Sequence, residues 1–157
     1  MVRAMRVNGM RKTMSGFYVA VGDRATFSKT VGETDVYLFA GITGDLSPNH
    51  VNKSYMEKSR YKRLQAHGAL LVGFMSTAST LAIAKSRESA DETPVSLGYD
   101  RVRFLAPVFF GDTLTVEYTI ASIDTERRRS NGAIEIKNQD GTLVAVATHI
   151  LKWVKND

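Results

Sequence analysis

The sequence predicts an α+β protein in which an antiparallel sheet wraps around one long central helix. Three observations carry this. The stretch from His67 to Ala84, "HGALLVGFMSTASTLAIA", is apolar nearly all round and of helical length. The chain after it alternates apolar and polar positions, interrupted at Pro107, Gly111-Asp112, "ERRRSNG" and Gln139-Asp140-Gly141. No linker, repeat or low-complexity tract divides the 157 residues, so one core has to serve the chain.

The elements follow in order. The opening "MVRAMRVNGMRKTM" is basic and rich in methionine, and it lacks an apolar stretch of signal-peptide length. Residues 1–15 are expected to form a basic arm outside a single domain spanning 16–157. "DRATFSKTV" alternates as a strand does. "ETDVYLFAGIT" places Val36, Phe39 and Ala40 at helical spacing, with Thr34 or Asp35 available as a cap and Gly44 to end it. "GDLSPNHVN" reads as a turn or a broken helix, because Pro48 and Asn49 oppose a continuous one. "NKSYMEKSRYKRL" is polar and suits a short helix or an irregular cover.

The central helix is ~25 Å long at helical rise. Small residues (Gly68, Ala69, Gly73, Ser76, Ala78, Ala82) alternate along it with Leu70, Leu71, Phe74, Met75 and Leu81. A helix apolar on every side is expected to be buried on every side. "VSLGYDRVRFLAPVFFGDTLTVEYTIASID" then supplies two strands, and "AIEIKNQDGTLVAVATHILKWV" a hairpin.

Composition narrows the function. Hydrophobic residues make up 43% and charged residues 24%, as in an ordinary globular domain. There is no cysteine, which excludes disulfides, thiolate metal sites and a cysteine nucleophile, and fits a cytoplasmic setting. The net charge of +5 suits an anionic partner. No basic helix or interleaved aromatic platform points to nucleic acid, and no apolar run reaches membrane-spanning length.

Four residues offer chemistry. Asp45 and His50 stand five apart around Pro48, and a bent segment can turn both side chains to one side. A carboxylate beside an imidazole activates water. Equally, Asp45 can close an Asx turn and His50 can satisfy a carbonyl. Gly68 opens the long helix, where first-turn amides lack intrahelical acceptors and the macrodipole is positive, so its N–H can polarise a carbonyl. His67 before it reads as a cap or a packing residue. Ser76 lies eight positions further on, ~12 Å along the helix, as an orienting hydroxyl or one bonded to the preceding turn. No G-x-S-x-G elbow is present. No histidine pair stands at metal-ligand spacing, and no cofactor is implied.

These residues, taken together, resemble the MaoC-like, (R)-specific enoyl-CoA hydratase branch of the hot-dog fold. The family's GD-x-NP-x-H stretch is similar to Gly44-Asp45-Leu46-Ser47-Pro48-Asn49-His50, with Ser47 where asparagine is usual. Its HG opening of a central helix resembles His67-Gly68-Ala69-Leu70-Leu71. Its RF-x-x-PV-x-x-GD-x-L strand and turn resemble the run Arg103 to Leu114. Asn52 stands where an acidic residue often follows the histidine.

The resemblance covers roughly residues 20 to 154. It implies hydration of a trans-2-enoyl thioester to an (R)-3-hydroxyacyl thioester, with Asp45 and His50 activating the water. Gly68 would bind the thioester oxygen and Ser76 would act as an orienting group, in at least a homodimer. Leu70, Phe74, Met75 and Phe39 are the expected lining of the acyl site. The carrier would be CoA or an acyl carrier protein, with Arg101, Arg103, Arg127, Arg128 and Arg129 as candidate contacts. Thioester hydrolysis and non-catalytic acyl-thioester binding are the alternatives on this fold.

Overall fold

The structure, a computed structural model, describes residues 17–156, without the side chains of residues 87–89. The basic arm expected over residues 1–15 lies outside the described residues. Strand β1 (Arg24–Thr30) leads to helix α1 (Glu33–Thr43), then to the short helices α2 (Pro48–Val51) and α3 (Lys53–Glu57). The long helix α4 (Gly68–Ala82) and α5 (Ala84–Ser89) precede four strands: β2 (Glu92–Phe104), β3 (Thr113–Asp124), β4 (Arg129–Lys137) and β5 (Leu143–Lys155).

The five strands form one antiparallel sheet in the order β1-β3-β4-β5-β2. Strict alternation builds its inner face. Leu114, Val116, Tyr118 and Ile120 of β3 are fully buried, as is Ile136 of β4, while Leu151 and Trp153 of β5 are nearly so. Each such aliphatic side chain contributes on the order of 1.5–3 kcal/mol when taken fully from water. The β4–β5 turn forms where the sequence places it. Gly141 takes φ +77°, and Asn138 Oδ1 accepts from the amides of Asp140 and Thr142. Register shifts in β2, near Gly98 (φ +133°) and Arg101 (φ +53°), are the kind of break that bends a strand.

Helix α4 packs against β1 and β3, with Leu71, Phe74, Met75, Ala78 and Ser79 buried. Here the structure departs from the sequence expectation of burial on every side. Ala69, Gly73, Ser76, Thr77, Thr80 and Leu81 are exposed in the single chain. The sheet covers one side of the helix, and small and hydroxyl residues fill the other.

Helix α1 differs at its cap as well. Gly32 is the N-cap, and the Asp35 carboxylate accepts from its amide at 2.9 Å, closing the first turn from within. Gly44, at φ +77°, ends α1 with its amide bonded to Ala40 O. Among the described residues no helix is long and apolar enough to cross a membrane.

Candidate active site

Asp45 and His50 come together because α1 stops at Gly44 and Pro48 starts a single new turn. Asp45 does close an Asx turn, since its Oδ1 accepts from the Ser47 amide at 3.2 Å. Its carboxylate remains 52% exposed, so its other oxygen is open to a ligand. Ser47 stays in the turn, donating from Oγ to Asn49 Oδ1 at 2.5 Å.

His50 is 8% exposed, and its Nδ1 lies 2.8 Å from the carbonyl of Gln65. A carbonyl only accepts, so Nδ1 carries the proton. The lone pair of the neutral ring is therefore on Nε2, with Asn49 Nδ2 at 3.3 Å. Gln65 is itself pinned. Its amide donates to Asn49 O, the next amide, of Ala66, donates to Val108 O, and Gln65 bridges to Phe109.

His67 joins this pair, which its place seventeen residues beyond His50 gave no sign of. Its Nε2 donates to the backbone carbonyl of Asp45 at 3.0 Å and lies 3.9 Å from Asp45 Oδ2. Its ring stacks on His50 with centroids 3.7 Å apart and planes 26° apart. One ligand-type atom from each of Asp45, His50 and His67 falls within 4.8 Å of the others. That is the minimum for a cation, but the donor set does not fit one. The His67 nitrogen nearest Asp45 and one nitrogen of His50 are N–H donors to backbone carbonyls. With His67 Nδ1 buried, the lone-pair groups left to a small ligand are the Asp45 carboxylate and His50 Nε2. Two lone-pair groups at such a separation suit one water, which bridges them with two hydrogen bonds of ordinary length.

Gly68 begins α4 beside this gap. A Cβ there would stand 2.6–2.9 Å from the ring atoms of Phe104, so glycine is what allows that ring to lie over the helix start. A cleft of about 410 Å³ opens at this point, walled by His50, Asn49, Tyr61, Gly68, Phe104 and Ala106 among others. Phe104, half exposed, is a wall residue that sequence reasoning passed over, although the RF of "RFLAPV" was in view.

None of the remaining candidates lines the cleft. Ser76 is exposed on the open side of α4 and does not line the cleft. Phe74 packs edge-on against Phe27 in the core at 6.0 Å, and Leu70 is half-buried against the same core. Phe39 is tilted against the His67 ring, with centroids 4.9 Å apart. Of the arginines, Arg128 is held by Glu92, whose carboxylate it grips from Nε and Nη2. Arg127 pairs with Asp124, and Arg103 donates to Val102 O.

Known proteins resemble this chain in sequence and in fold. The family model described as "MaoC like domain" matches residues 19–141. The (R)-specific enoyl-CoA hydratase of Rhodospirillum rubrum is 36% identical over 107 residues, 68% of this chain and 69% of its own. The (R)-specific enoyl-CoA hydratase of Aeromonas caviae is 26% identical over 139 residues, 88% of this chain and 98% of its own. The unliganded R-hydratase of Pseudomonas aeruginosa superposes with a TM-score of 0.73 at 26% identity, over 88% of this chain and 84% of that one.

Proposed function

We propose that this chain, which belongs to the MaoC-like domain family and has its hot-dog fold, hydrates trans-2-enoyl-CoA reversibly to (R)-3-hydroxyacyl-CoA. The observation that carries the reading is that a carboxylate oxygen of Asp45 and a ring nitrogen of His50 lie within 4.8 Å of each other, where His50 and Gly68 line one cleft. The relatives named above support the reaction type.

The fixed tautomer shapes the mechanism. His50 Nε2 has a lone pair, so it accepts one proton of the bridging water while the Asp45 carboxylate accepts a hydrogen bond from the other. The hydroxide adds to Cβ of the enoyl thioester. The C=C electron pair moves toward the carbonyl, and the resulting enolate oxygen takes the Gly68 N–H. One such donor is worth roughly 3–4 kcal/mol of barrier. As the enolate collapses, Cα takes the proton held on His50 Nε2. Both parts of one water thus reach the same face of the double bond, which is syn addition. The lone pair on His50 Nε2 favours the ring as proton acceptor and the carboxylate as the group that orients the water and stabilises the imidazolium.

Two further parts belong to this reading. The uncovered side of α4 and the exposed Val95, Leu97, Phe104 and Leu105 of the edge strand β2 and its end suit a homodimer. Ser76, on that uncovered side, would orient its partner group in such an assembly. The carrier phosphates are matched by Lys58, Arg60, Lys62 and Arg63, which flank the cleft residue Tyr61 and are exposed.

Incubation with trans-2-enoyl-CoA, followed by chiral chromatography and a thiol assay, tests the reaction. The (R)-3-hydroxy product without free CoA is expected. Free CoA would indicate thioester hydrolysis, and the (S) product would contradict the proposed (R) outcome.

A further inference from the structure

We infer that His67 is a positioning residue that holds the water-activating pair in register with the oxyanion amide. The inference rests on the hydratase reading above and adds a residue to it.

One side chain and its peptide link three parts of the site. The face of the His67 ring lies on the His50 ring at 3.7 Å. Its Nε2–H holds the Asp45 main chain at 3.0 Å. Its own carbonyl carbon carries the Gly68 N–H, and it is the N-cap of α4. Phe39 also packs on the ring, tilted by 51° with centroids 4.9 Å apart, so the imidazole has a second aromatic neighbour. A shift of this ring therefore moves base, carboxylate and oxyanion donor relative to one another.

Packing alone does not account for histidine here. The residue is 1% exposed, yet its Nδ1 is buried with no hydrogen-bond partner. A buried nitrogen left so costs about 1–3 kcal/mol, which a phenylalanine or leucine at this position would avoid. What histidine offers in return is a flat face and one N–H on the same ring. The face meets His50 and the N–H meets Asp45. Stacking also holds the plane in which His50 Nε2 can point at the gap.

Two variants separate these contacts. His67→Phe keeps a flat face and loses the N–H, and His67→Gln keeps an N–H donor and loses the stack. We expect kcat for crotonyl-CoA, per folded molecule, to fall at least about tenfold in each, with KM within about twofold, because small misplacements of reacting groups act on the barrier more than on binding. Long-range 1H–15N NMR of the imidazoles gives a readout that needs no turnover. Wild-type protein should show His50 as a single Nδ1–H tautomer and His67 as a single Nε2–H tautomer, and His67→Gln should mix the His50 forms.

Wild-type kcat in both variants, with the wild type active, would overturn the inference. If the wild type does not hydrate the substrate, the functional reading fails, and the NMR comparison still decides whether His67 orders His50. If neither variant folds, mixed tautomers at His50 or His67 in the wild type overturn the inference.

Discussion

His149 Nδ1 lies 3.1 Å from the Tyr118 hydroxyl, in the middle of the sheet beneath α4. Ser79 of α4 reaches the same nitrogen at 3.1 Å, and Ser96 of β2 lies 2.8 Å from Nε2. Tyr99 stacks on the ring at 4.6 Å. A neutral imidazole satisfies such a set, with one nitrogen accepting and the other donating. The network thus ties the central helix to three strands of the sheet. Burial also pushes the Tyr118 hydroxyl up to about 12, with the Ser79 bond acting against that.

Acid should therefore loosen the fold at this point. Burial lowers His149 to about 4, against an ordinary value near 6.5. The unfolded chain takes up this proton first as pH falls. The stabilising contribution is complete above about 6.5 and is lost progressively down to about 4, amounting to roughly 3 kcal/mol over the window. Urea unfolding at pH 7 and at pH 4.5 should show the loss, and His149→Gln should flatten it. A wild-type stability that is level from pH 7 to 4.5 would contradict the assignment.

The same network forbids a side chain at Gly132. A Cβ there would stand 2.1 Å from Tyr118 Cζ and 2.2 Å from its hydroxyl, and Tyr118 is fully buried and held by His149. Gly132→Ala should destabilise by about 1–3 kcal/mol, as forced overpacking does. Gly41→Ala, in α1 with nothing near its Cβ, should instead gain about 0.5–1 kcal/mol. Denaturant midpoints of the two variants should move in opposite directions.

Gly68→Ala should separate stability from activity. The added methyl meets the Phe104 ring, but that ring is half exposed and can swing aside. Its new position, and the methyl itself, obstruct the approach of a thioester to the Gly68 N–H. Turnover should drop by at least roughly tenfold, since one oxyanion donor carries 10²–10³ in rate. Thermal unfolding should change little. Unaltered kcat would remove Gly68 from the mechanism.

Binding of CoA thioesters should weaken with salt. Lys58, Arg60, Lys62 and Arg63 carry like charge beside the cleft, and phosphates on the carrier would be drawn to them. KM for crotonyl-CoA should rise between low and physiological ionic strength, and Arg60→Glu with Lys62→Glu should reduce that slope. A KM indifferent to salt would place the carrier elsewhere.

Much of the fold was legible because alternation and helical length are local signals. The β4–β5 hairpin, the breaks around Pro107 and Gly111, and the start of α4 at Gly68 stand where the pattern puts them. The strand order was not, since nothing in β2 says it follows β5 at the edge rather than neighbouring β3. For the same reason an all-round apolar α4 could not announce that one side stays open in the single chain. Within the site, Asp45, His50 and Gly68 could be picked out by residue type and spacing. His67 could not be given its place, because its contacts with His50 and with Asp45 depend on how the intervening loop returns over β3's approach. The Gln65 carbonyl that fixes the His50 tautomer is a backbone group, which side-chain motifs do not show.

The most direct measurement follows the enoyl-thioester absorbance of crotonyl-CoA with wild-type protein and with Asp45→Asn. The asparagine keeps the size and the turn hydrogen bond but removes the charge that orients the water and balances the imidazolium. The wild type should remove the band, the variant should act at least about a hundredfold more slowly, and thermal unfolding should be unchanged. Equal rates for the two proteins would contradict it.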